Sequence, residues 1–371
     1  MPQNSKFQLV QGSKKSQARM GRLKTKHGLV ATPAFMPIAT RGSVRSLEID
    51  ALTALKASII LSNTYHLWIK PGLNLINRAG GLHKFMNWAG PILTDSGGYQ
   101  VFSLSKFRKI TDQGVKFRDN QDGTMRLLTP ERAMSIQAIL GSDIAMVLDE
   151  VPSYNSSRQV IQSAVTRSTA WAKRCLKAKS LPGQLVFSII QGGTHKDLRI
   201  NHARELIKLP FDGYAVGGLA MGESTQMQAK MIYQALNWVV PELPINKPRY
   251  LMGVGPPDQI VQAVSQGIDM FDCVLPTRNA RHELLYIWKS GNLNGKFWES
   301  LNISKSRYKN DLRPIDQRCD CSTCLSYTRA YLRHLFATQD PLAQRLATIH
   351  NLRFYLRLMD EIRQAIKQGK L

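Results

Sequence analysis

The amino-acid sequence predicts an α/β protein built as a (β/α)8 barrel, with an inserted β-hairpin and a small C-terminal subdomain. Three observations support this prediction. Eight short apolar runs alternate with amphipathic helical stretches, polar residues follow several of these runs, and three cysteines cluster near the end of the chain. Eight strand–helix alternations favour a closed barrel over an open doubly wound sheet.

The eight predicted strands are followed in most cases by helix signals. Thr129 is a candidate N-cap with Pro130 at the first helical position, and helical apolar spacing predicts helices over 156–179 and 255–267. We assign residues 1–283 to the barrel. The strands are predicted at 32–40, 57–66, 91–98, 143–150, 185–193, 213–218, 249–255 and 268–273.

Two segments interrupt the alternation. Residues 99–128 form a long insertion after the third strand, and within it 115–128 is predicted to be a hairpin turning at Asp122–Gly123. After the eighth strand, residues 284–371 make up the predicted subdomain. It contains a basic, aromatic-rich stretch, the cysteine cluster and a long helix over about 341–369.

The charge balance indicates an anionic partner. The 371-residue chain has 50 Lys and Arg against 26 Asp and Glu, so its net charge is +24 and its pI about 10. A solvated basic surface would explain this excess, but a surface that attracts nucleic acid explains it better. Charge alone does not distinguish RNA from DNA or from an anionic membrane.

The chain shows none of the sequence features of secretion. Its N-terminus is polar and basic, and no run approaches the roughly 18 apolar residues of a membrane span. Five cysteines is an odd count, which suits a reducing compartment better than a disulfide framework. We therefore expect a cytoplasmic protein.

The cysteine cluster predicts a metal site. Cys319, Cys321 and Cys324 have a C-x-C-x2-C spacing, and His350 is the best placed candidate for a fourth ligand, although a histidine on a helix face is common without a metal. Three thiolates and an imidazole form a closed tetrahedral zinc site, whose role is structural. The subdomain is thus predicted to bind one Zn²⁺, with Cys175 and Cys273 as ordinary buried thiols.

Two carboxylates are the candidate catalytic groups. Asp272 stands between Phe271 and Cys273, where a core strand would normally carry another apolar residue, and Asp95 follows the third strand. Barrel enzymes build their active sites at the C-terminal ends of the strands. There, one carboxylate can attack a sugar anomeric carbon while a second carboxyl moves the proton of the leaving group. Alternatively, Asp95 caps a turn and Asp272 belongs to a buried ion pair.

Further polar groups lie at the same predicted rim. Asp149, Gln191 and the pair Gly217–Gly218 end their strands, and Gly97–Gly98 would let a ligand approach the backbone closely, with Tyr99 as a stacking face. Arg278 and Arg281 follow Asp272, and arginine pairs with phosphate through a planar fork. A barrel glycosidase would account for the carboxylates but not for these arginines or the +24 charge.

Several motifs together resemble those of the tRNA-guanine transglycosylases. The resemblance is collinear over nearly the whole chain. It implies a barrel enzyme that exchanges guanine at the wobble position of certain tRNAs for a 7-deazaguanine, in queuosine biosynthesis. The motifs are "TDSGGYQVFSL", "MVLDEV", "IIQGGT", "GGLAMGE", "YLMGVG", "FDCVLPTRNAR" and "CDCSTC…TIHN".

The resemblance also implies a role for each motif residue. Asp272 would be the nucleophile at the ribose C1′ and Asp95 the general acid/base, while Arg278 and Arg281 would contact tRNA phosphates. The family positions for zinc are those already predicted. Family members are typically homodimers. The residues that would read or sandwich the purine are Asp149, Gln191, Gly218, Leu219, Tyr99 and Met252.

The chain departs from the family pattern at a few positions. His282–Glu283 replaces a common Asn-Gly, and the segment 284–310 is longer than usual. Val151 and Met221 are atypical of bacterial members, which leaves two incoming bases open: 7-aminomethyl-7-deazaguanine as the default, and queuine. A non-catalytic tRNA-binding partner subunit is a further alternative, disfavoured because both Asp95 and Asp272 are present.

Overall fold

The computed structural model describes residues 6–104, 107–119, 122–153, 155–219, 225–293 and 295–371. The strands are β1 (Phe7–Gly12), β2 (Arg19–Thr25), β3 (Gly28–Thr32), β4 (Ala34–Met36), β5 (Ile60–Ser62), β6 (Ile92–Thr94), β7 (Arg108–Thr111), β8 (Gly114–Arg118), β9 (Met125–Leu128), β10 (Ile144–Met146), β11 (Leu185–Ile190), β12 (Gly213–Val216), β13 (Arg249–Leu251), β14 (Met270–Asp272), β15 (Leu284–Trp288) and β16 (Trp298–Asn302).

The α-helices are α1 (Ile49–Ala54), α2 (Thr64–Leu67), α3 (Leu73–Arg78), α4 (Leu82–Met86), α5 (Gly98–Leu104), α6 (Pro130–Leu140), α7 (Arg158–Ala178), α8 (Lys196–Ile207), α9 (Thr225–Val239), α10 (Pro257–Ser265), α11 (Leu275–Arg281), α12 (Ser322–Ser326), α13 (Arg329–Ala337) and α14 (Pro341–Lys367). In the described part of the chain, no helix combines the length and the apolar composition that crossing a bilayer requires.

Eight parallel strands form the predicted barrel. Their order is β4-β14-β13-β12-β11-β10-β6-β5, and a parallel bridge between Ile38 and Leu61 joins the two ends of the sheet. The bridge is completed by hydrogen bonds from the Ala39 amide to the Leu61 carbonyl (2.6 Å) and from the Leu61 amide to the Pro37 carbonyl (3.0 Å). The barrel strands are buried on both faces, which explains their nearly continuous apolar sequences. The predicted fold class is confirmed.

The predicted helices are also confirmed close to their expected bounds. The Thr129 hydroxyl accepts a hydrogen bond from the Arg132 amide (3.1 Å) and caps α6, and Gly141 ends that helix in the left-handed conformation (φ 74°). Helices α7, α10 and α14 lie where the apolar spacing predicts them.

The insertion after β6 contains one more strand than predicted. The hairpin is confirmed as β8 and β9, with Arg118 opposite Met125, but β7 adds a third antiparallel strand. This strand was not predicted because "RKIT" has no apolar alternation. Arg174 of α7 anchors the sheet by hydrogen-bonding the Asp112 carbonyl (2.8 Å) while its other nitrogens pair with Glu131 (2.7 Å).

An antiparallel sheet of β1, β2 and β3, which was not predicted, closes the N-terminal end of the barrel. Arg19 from β2 pairs with Asp269, Nε to Oδ1 at 3.0 Å and Nη2 to Oδ2 at 2.5 Å, and the Arg249 amide also donates to Oδ2 (2.7 Å). Asp269 directly precedes β14, so it lies at the opposite end of that strand from Asp272. Asp269 therefore has a structural role.

The C-terminal region packs on the barrel through α14. Asn351 of this helix accepts a hydrogen bond from the Tyr286 amide (3.2 Å) and donates to the carbonyls of Leu284 (2.9 Å) and Pro276 (3.1 Å). It thereby connects α14 to β15 and to α11. The antiparallel pair of β15 and β16 was not predicted; with the short helical turn at Ser306–Tyr308 it occupies the segment that was noted as unusually long.

Candidate active site and metal cluster

Asp272 is the last residue of β14, and among the described residues its buried carboxylate accepts hydrogen bonds through only one of its two oxygens. The Tyr250 hydroxyl (2.5 Å) and the Gly253 amide (2.8 Å) both donate to Oδ1. Within the part of the chain that the structure describes, Oδ2 accepts no hydrogen bond. Burial raises the pKa of Asp272, and the two hydrogen bonds oppose that rise. The side chain is thus fixed in position through Oδ1, and Oδ2 is available for contact with a ligand.

Asp95 lies directly after β6 and is held by the neighbouring loop. Its Oδ2 accepts a short hydrogen bond from the Asn63 amide group, and its Oδ1 accepts from the backbone amides of Thr64 (2.8 Å) and Gly97 (3.2 Å). Burial raises the pKa of Asp95 to about 6, although these hydrogen bonds lower it. A carboxyl with a pKa near 6 can both give and take a proton close to neutral pH, as a general acid/base must.

Asp149 and Gln191 form a second buried pair at the same rim. Gln191 Nε2 donates to Asp149 Oδ2 at 2.7 Å. Burial, together with the negative charges of Asp95 and Glu150, raises the pKa of Asp149 to about 7. Near neutral pH this carboxyl is therefore partly protonated and can donate as well as accept a hydrogen bond, which suits a group that reads a purine edge.

The glycine pair Gly217–Gly218 packs directly against Gln191. Gly218 has φ +70°, and a Cβ added there would lie 2.4 Å from Gln191 Oε1. A Cβ on Gly217 would lie 2.8 Å from Gln191 Nε2. Only glycine combines this backbone conformation with so close an approach. Leu219, buried, follows the pair. The structure thus brings Asp149, Gln191 and this loop together.

Tyr99 and Met252 both follow barrel strands: Met252 comes directly after β13, and Tyr99 lies in α5, the helix after β6. Tyr99 is the second residue of α5 and is 48% exposed. Met252 is partly buried, and its amide donates to the Val216 carbonyl on the neighbouring strand (3.3 Å). Of the atypical positions, Val151 is partly buried beside Glu150, whereas Met221 lies outside the described residues.

Arg278 and Arg281 lie on α11, the helix that begins three residues after Asp272. Arg278 is exposed, and Arg281 Nη1 donates to the Thr277 carbonyl (2.8 Å). Burial and the positive charges of Arg45 and Arg278 lower the pKa of Arg281. The three arginines therefore lie close enough to repel one another. Arg45, in the loop after β4, was not predicted, although "TRGSVR" follows the first barrel strand.

Two buried side chains of α8, which were also not predicted, hydrogen-bond the backbone at the ends of β11 and β12. Arg199 donates to the carbonyls of Gly193 (Nε, 2.7 Å), Ile190 (Nη1, 3.3 Å) and Gly217 (Nη2, 3.1 Å). Burial lowers its pKa to about 9. His202 Nδ1 accepts from the Gln191 amide at 3.0 Å. An arginine in a helical pattern normally predicts a surface position, so the sequence carries no local signal for this role.

The predicted metal ligands come together in the C-terminal region. The three cysteine sulfurs and a His350 nitrogen all lie within 4.8 Å of one another. His350 Nδ1 lies 3.2 Å from the Cys324 sulfur and 4.0 Å from the Cys321 sulfur. His350 Nε2 donates to the Tyr286 carbonyl (2.7 Å), which leaves the Nδ1 lone pair directed at the sulfurs. The cluster can bind a metal ion.

A second group of possible ligands has a different geometry. His27 Nδ1 lies 2.9 Å from Asp143 Oδ1, and His83 Nε2 lies 3.2 Å from Asp143 Oδ2. The two imidazole rings stack with centroids 3.7 Å apart. The ligand atoms of the three residues lie within 4.8 Å of one another, as in the cysteine cluster, but each imidazole nitrogen that faces Asp143 is within hydrogen-bonding distance of a different carboxylate oxygen. This group is a hydrogen-bonded contact between β2–β3 and the N-terminal end of the barrel.

Comparison with known proteins identifies the family. Residues 13–371 match the family model described as queuine tRNA-ribosyltransferase. The chain belongs to this family. Among its relatives is a queuine tRNA-ribosyltransferase of Staphylococcus epidermidis, 48% identical over 366 residues, which cover 98% of this chain and 93% of the relative. Another, of Bacillus pumilus, is 47% identical over 367 residues, which cover 99% of this chain and 93% of the relative.

Proposed function

We propose that this chain exchanges guanine at the wobble position of tRNAs with GUN anticodons for 7-aminomethyl-7-deazaguanine, as a step of queuosine biosynthesis. The observation that carries the proposal is the carboxylate arrangement. Asp272 is held through Oδ1 and has Oδ2 available, and Asp95 lies on the same rim with a pKa of about 6. This arrangement occurs in a chain of the queuine tRNA-ribosyltransferase family.

In the first half of the reaction, Asp272 Oδ2 attacks the ribose C1′ of the target nucleotide. The bond between C1′ and the guanine nitrogen breaks, and Asp95 gives a proton to the departing guanine. The tRNA is then bound covalently through an ester-like bond to Asp272. The base must leave the anticodon stack to reach this carboxylate, a movement that costs a few kcal/mol and is least costly in an exposed loop.

In the second half, the incoming base takes the place of guanine. It gives a proton to Asp95, its nitrogen attacks C1′ from the face that guanine left, and Asp272 departs as a carboxylate. Two displacements at C1′ retain the configuration of the ribose. Both carboxyls end in their starting protonation states, so the cycle needs no oxidant, reductant or nucleotide cofactor.

Base recognition is assigned to the buried pair and the glycine loop. Asp149, Gln191 and the backbone at Gly218 and Leu219 read the purine edge, and Tyr99 and Met252 sandwich its faces. Support comes from the 2.7 Å contact between Gln191 and Asp149 and from the packing of Gly218 on Gln191. Queuine is the alternative incoming base, because Val151 beside Glu150 is atypical of bacterial members and the relatives are named for queuine.

The arginines on the rim and the cysteine cluster take the remaining roles. Arg278 and Arg281 contact phosphates of the anticodon loop, and the proximity of Arg45 adds a third cation there. The cysteine cluster holds one Zn²⁺, since three thiolates and an imidazole are a common zinc ligand set. A zinc ion bound there would have a structural role, because its ligands would connect α12 and the segment before it to α14. The ligands are Cys319, Cys321, Cys324 and His350.

Three further assignments complete the proposal. The barrel comprises residues 1–283 and the zinc subdomain residues 284–371. The enzyme works in the cytoplasm, where its tRNA is found, and as a homodimer.

A base-exchange assay tests the proposed function. An anticodon hairpin containing U-G-U is loaded with labelled guanine and chased with 7-aminomethyl-7-deazaguanine or with queuine. We expect loss of label with the first base, and loss with queuine alone would select the alternative. No loss with either base, from folded protein with its metal bound, would refute the enzyme assignment and favour a non-catalytic tRNA-binding subunit.

A further inference from the structure

The inserted sheet has one face that carries three cations and three apolar side chains and no carboxylate. In the register of β7, β8 and β9, Lys109 is opposite Lys116, Lys116 is opposite Leu127, and Arg118 is opposite Met125. All these side chains are exposed. We call this set the basic sheet face; its members are Phe107, Lys109, Lys116, Arg118, Met125 and Leu127.

The charges on this face are unfavourable for the protein alone. Lys109 and Lys116 are directly opposite each other on adjacent strands, and like charges in that position destabilise a sheet. Neither lysine has an ion-pair partner among the described residues. The three acidic residues of the insertion are engaged elsewhere, Asp119 and Asp122 with Arg126 (2.8 and 3.0 Å) and Asp112 with Arg167 (3.1 Å). An anionic partner would relieve the repulsion.

The apolar side chains on this face suit unpaired bases. Phe107 is 58% exposed, and Met125 and Leu127 are each 38% exposed. The Arg118 amide donates to the Phe107 carbonyl (3.1 Å), which places these two residues side by side. Aromatic and apolar surfaces interleaved with cations are typical of proteins that bind single-stranded nucleic acid, where bases stack and the backbone follows positive charge.

The opposite face of the sheet packs beside the catalytic rim. Phe117 is fully buried, and its ring centroid lies 5.7 Å from that of Tyr65 and 5.9 Å from that of Trp68. Tyr65 directly follows Thr64, whose amide donates to Asp95. The inserted sheet is therefore built against the same loop that holds the proposed acid/base.

We propose that the basic sheet face binds the tRNA beside the target nucleotide. Lys109, Lys116 and Arg118 contact the phosphates, and Phe107 contacts an unstacked base. This inference rests on the proposed function and extends it, because it adds an RNA-binding surface to the arginines of α11. The chemistry of the face favours RNA over a protein partner, since exposed aromatic and apolar side chains alternate there with lysines and no carboxylate lies among its described residues.

The test compares two double variants of equal charge change. Lys109→Gln/Lys116→Gln removes both lysines from the face, and Lys24→Gln/Lys26→Gln removes two exposed lysines from the sheet at the other end of the barrel. The dissociation constant for full-length tRNA is measured between about 50 and 200 mM salt. The logarithm of the association constant falls as the logarithm of the salt concentration rises. Loss of two phosphate contacts makes this slope less steep by about 1.5. The affinity gap between wild type and the first variant should thus shrink about eightfold over this range.

Two additional measurements separate binding from folding. In Lys109→Gln/Lys116→Gln, the KM for tRNA should rise with a smaller change in kcat, and the melting temperature should not fall, because the substitution removes a repulsion. Phe107→Ala should weaken tRNA binding at least about fivefold without changing the salt slope, because stacking is not a charge contact.

The outcomes distinguish this inference from the proposed function. If Lys109→Gln/Lys116→Gln binds tRNA with the affinity and salt slope of the wild type, while the wild type exchanges guanine, the inference alone is overturned. The face would then be reassigned to a protein partner. An equal loss in both double variants would also overturn it, because the effect would then be one of net charge. A wild-type protein that neither binds tRNA nor exchanges guanine would overturn both.

Discussion

The hydrogen bond from Tyr250 to Asp272 gives the most specific prediction about the catalytic groups. Tyr250→Phe removes a hydroxyl that donates to Oδ1 at 2.5 Å and leaves the Gly253 amide at 2.8 Å as its remaining donor. Burial and the Asp272 carboxylate raise the pKa of Tyr250 well above its ordinary value, so this hydroxyl stays a donor. A hydrogen bond to a charged group contributes about 1.5–3 kcal/mol, which corresponds to about 1–2 pH units.

The expected result is a shift in the pH profile of tRNA trapping rather than an equal loss of trapping at every pH. Asp272 must be ionised to attack C1′, and loss of a hydrogen bond that lowers its pKa raises that pKa further. The acid limb of single-turnover tRNA trapping should therefore move up by about 1–2 pH units, with the alkaline limb, assigned to Asp95, unmoved. Tyr214→Phe, at a buried tyrosine of β12, is the control. An unshifted acid limb, or an equal loss at every pH, would refute the reasoning.

Three other substitutions test the metal cluster and the base-reading loops. Cys321→Ser should reduce bound zinc from about one ion per chain to near none and lower the melting temperature, since structural zinc contributes its binding energy to folding; unchanged metal content would exclude this ligand. Arg199→Met should raise the KM for the incoming base about tenfold with a smaller change in kcat, because hydrogen bonds of a guanidinium contribute about 1.5–3 kcal/mol each; Arg204→Met, on the exposed side of α8, should behave as wild type, and a fall in stability without a change in KM would make Arg199 structural only. Gly218→Ala should weaken base binding more than tenfold, whereas Gly183→Ala, which has a similar φ (78° against 70°) but nothing within 4 Å, should cost only the backbone strain of about 1–2 kcal/mol; equal effects would show that contact with Gln191 is unimportant.

The barrel could be predicted because its signals are local. Each barrel strand is buried on both faces and so appears as a short apolar run, and the cap of α6 depends on Thr129 and its immediate neighbours. The spacing of the three cysteines likewise lies within six residues. Such features do not depend on the rest of the fold, so the sequence alone was sufficient for them.

Other features depend on pairing between distant segments. The N-terminal sheet is held by Arg19 and Asp269, which are 250 residues apart, and no local pattern announces that contact. For the same reason, the structural role of Asp269 could not be predicted, although Asp272 was singled out as the candidate catalytic carboxylate of the same segment. Arg199 is similar, because its burial follows from the packing of α8 under two strand ends and not from its own sequence.

The central claim is that Asp272 forms a covalent bond with the ribose of the target nucleotide. The most direct measurement is to trap wild-type enzyme with an anticodon hairpin in the absence of incoming base, and to locate the RNA-bearing peptide by mass spectrometry. We predict a single adduct on the peptide that contains Asp272, lost in Asp272→Asn while non-covalent binding of the hairpin remains. An adduct on another peptide, or trapping that persists in Asp272→Asn, would contradict the mechanism.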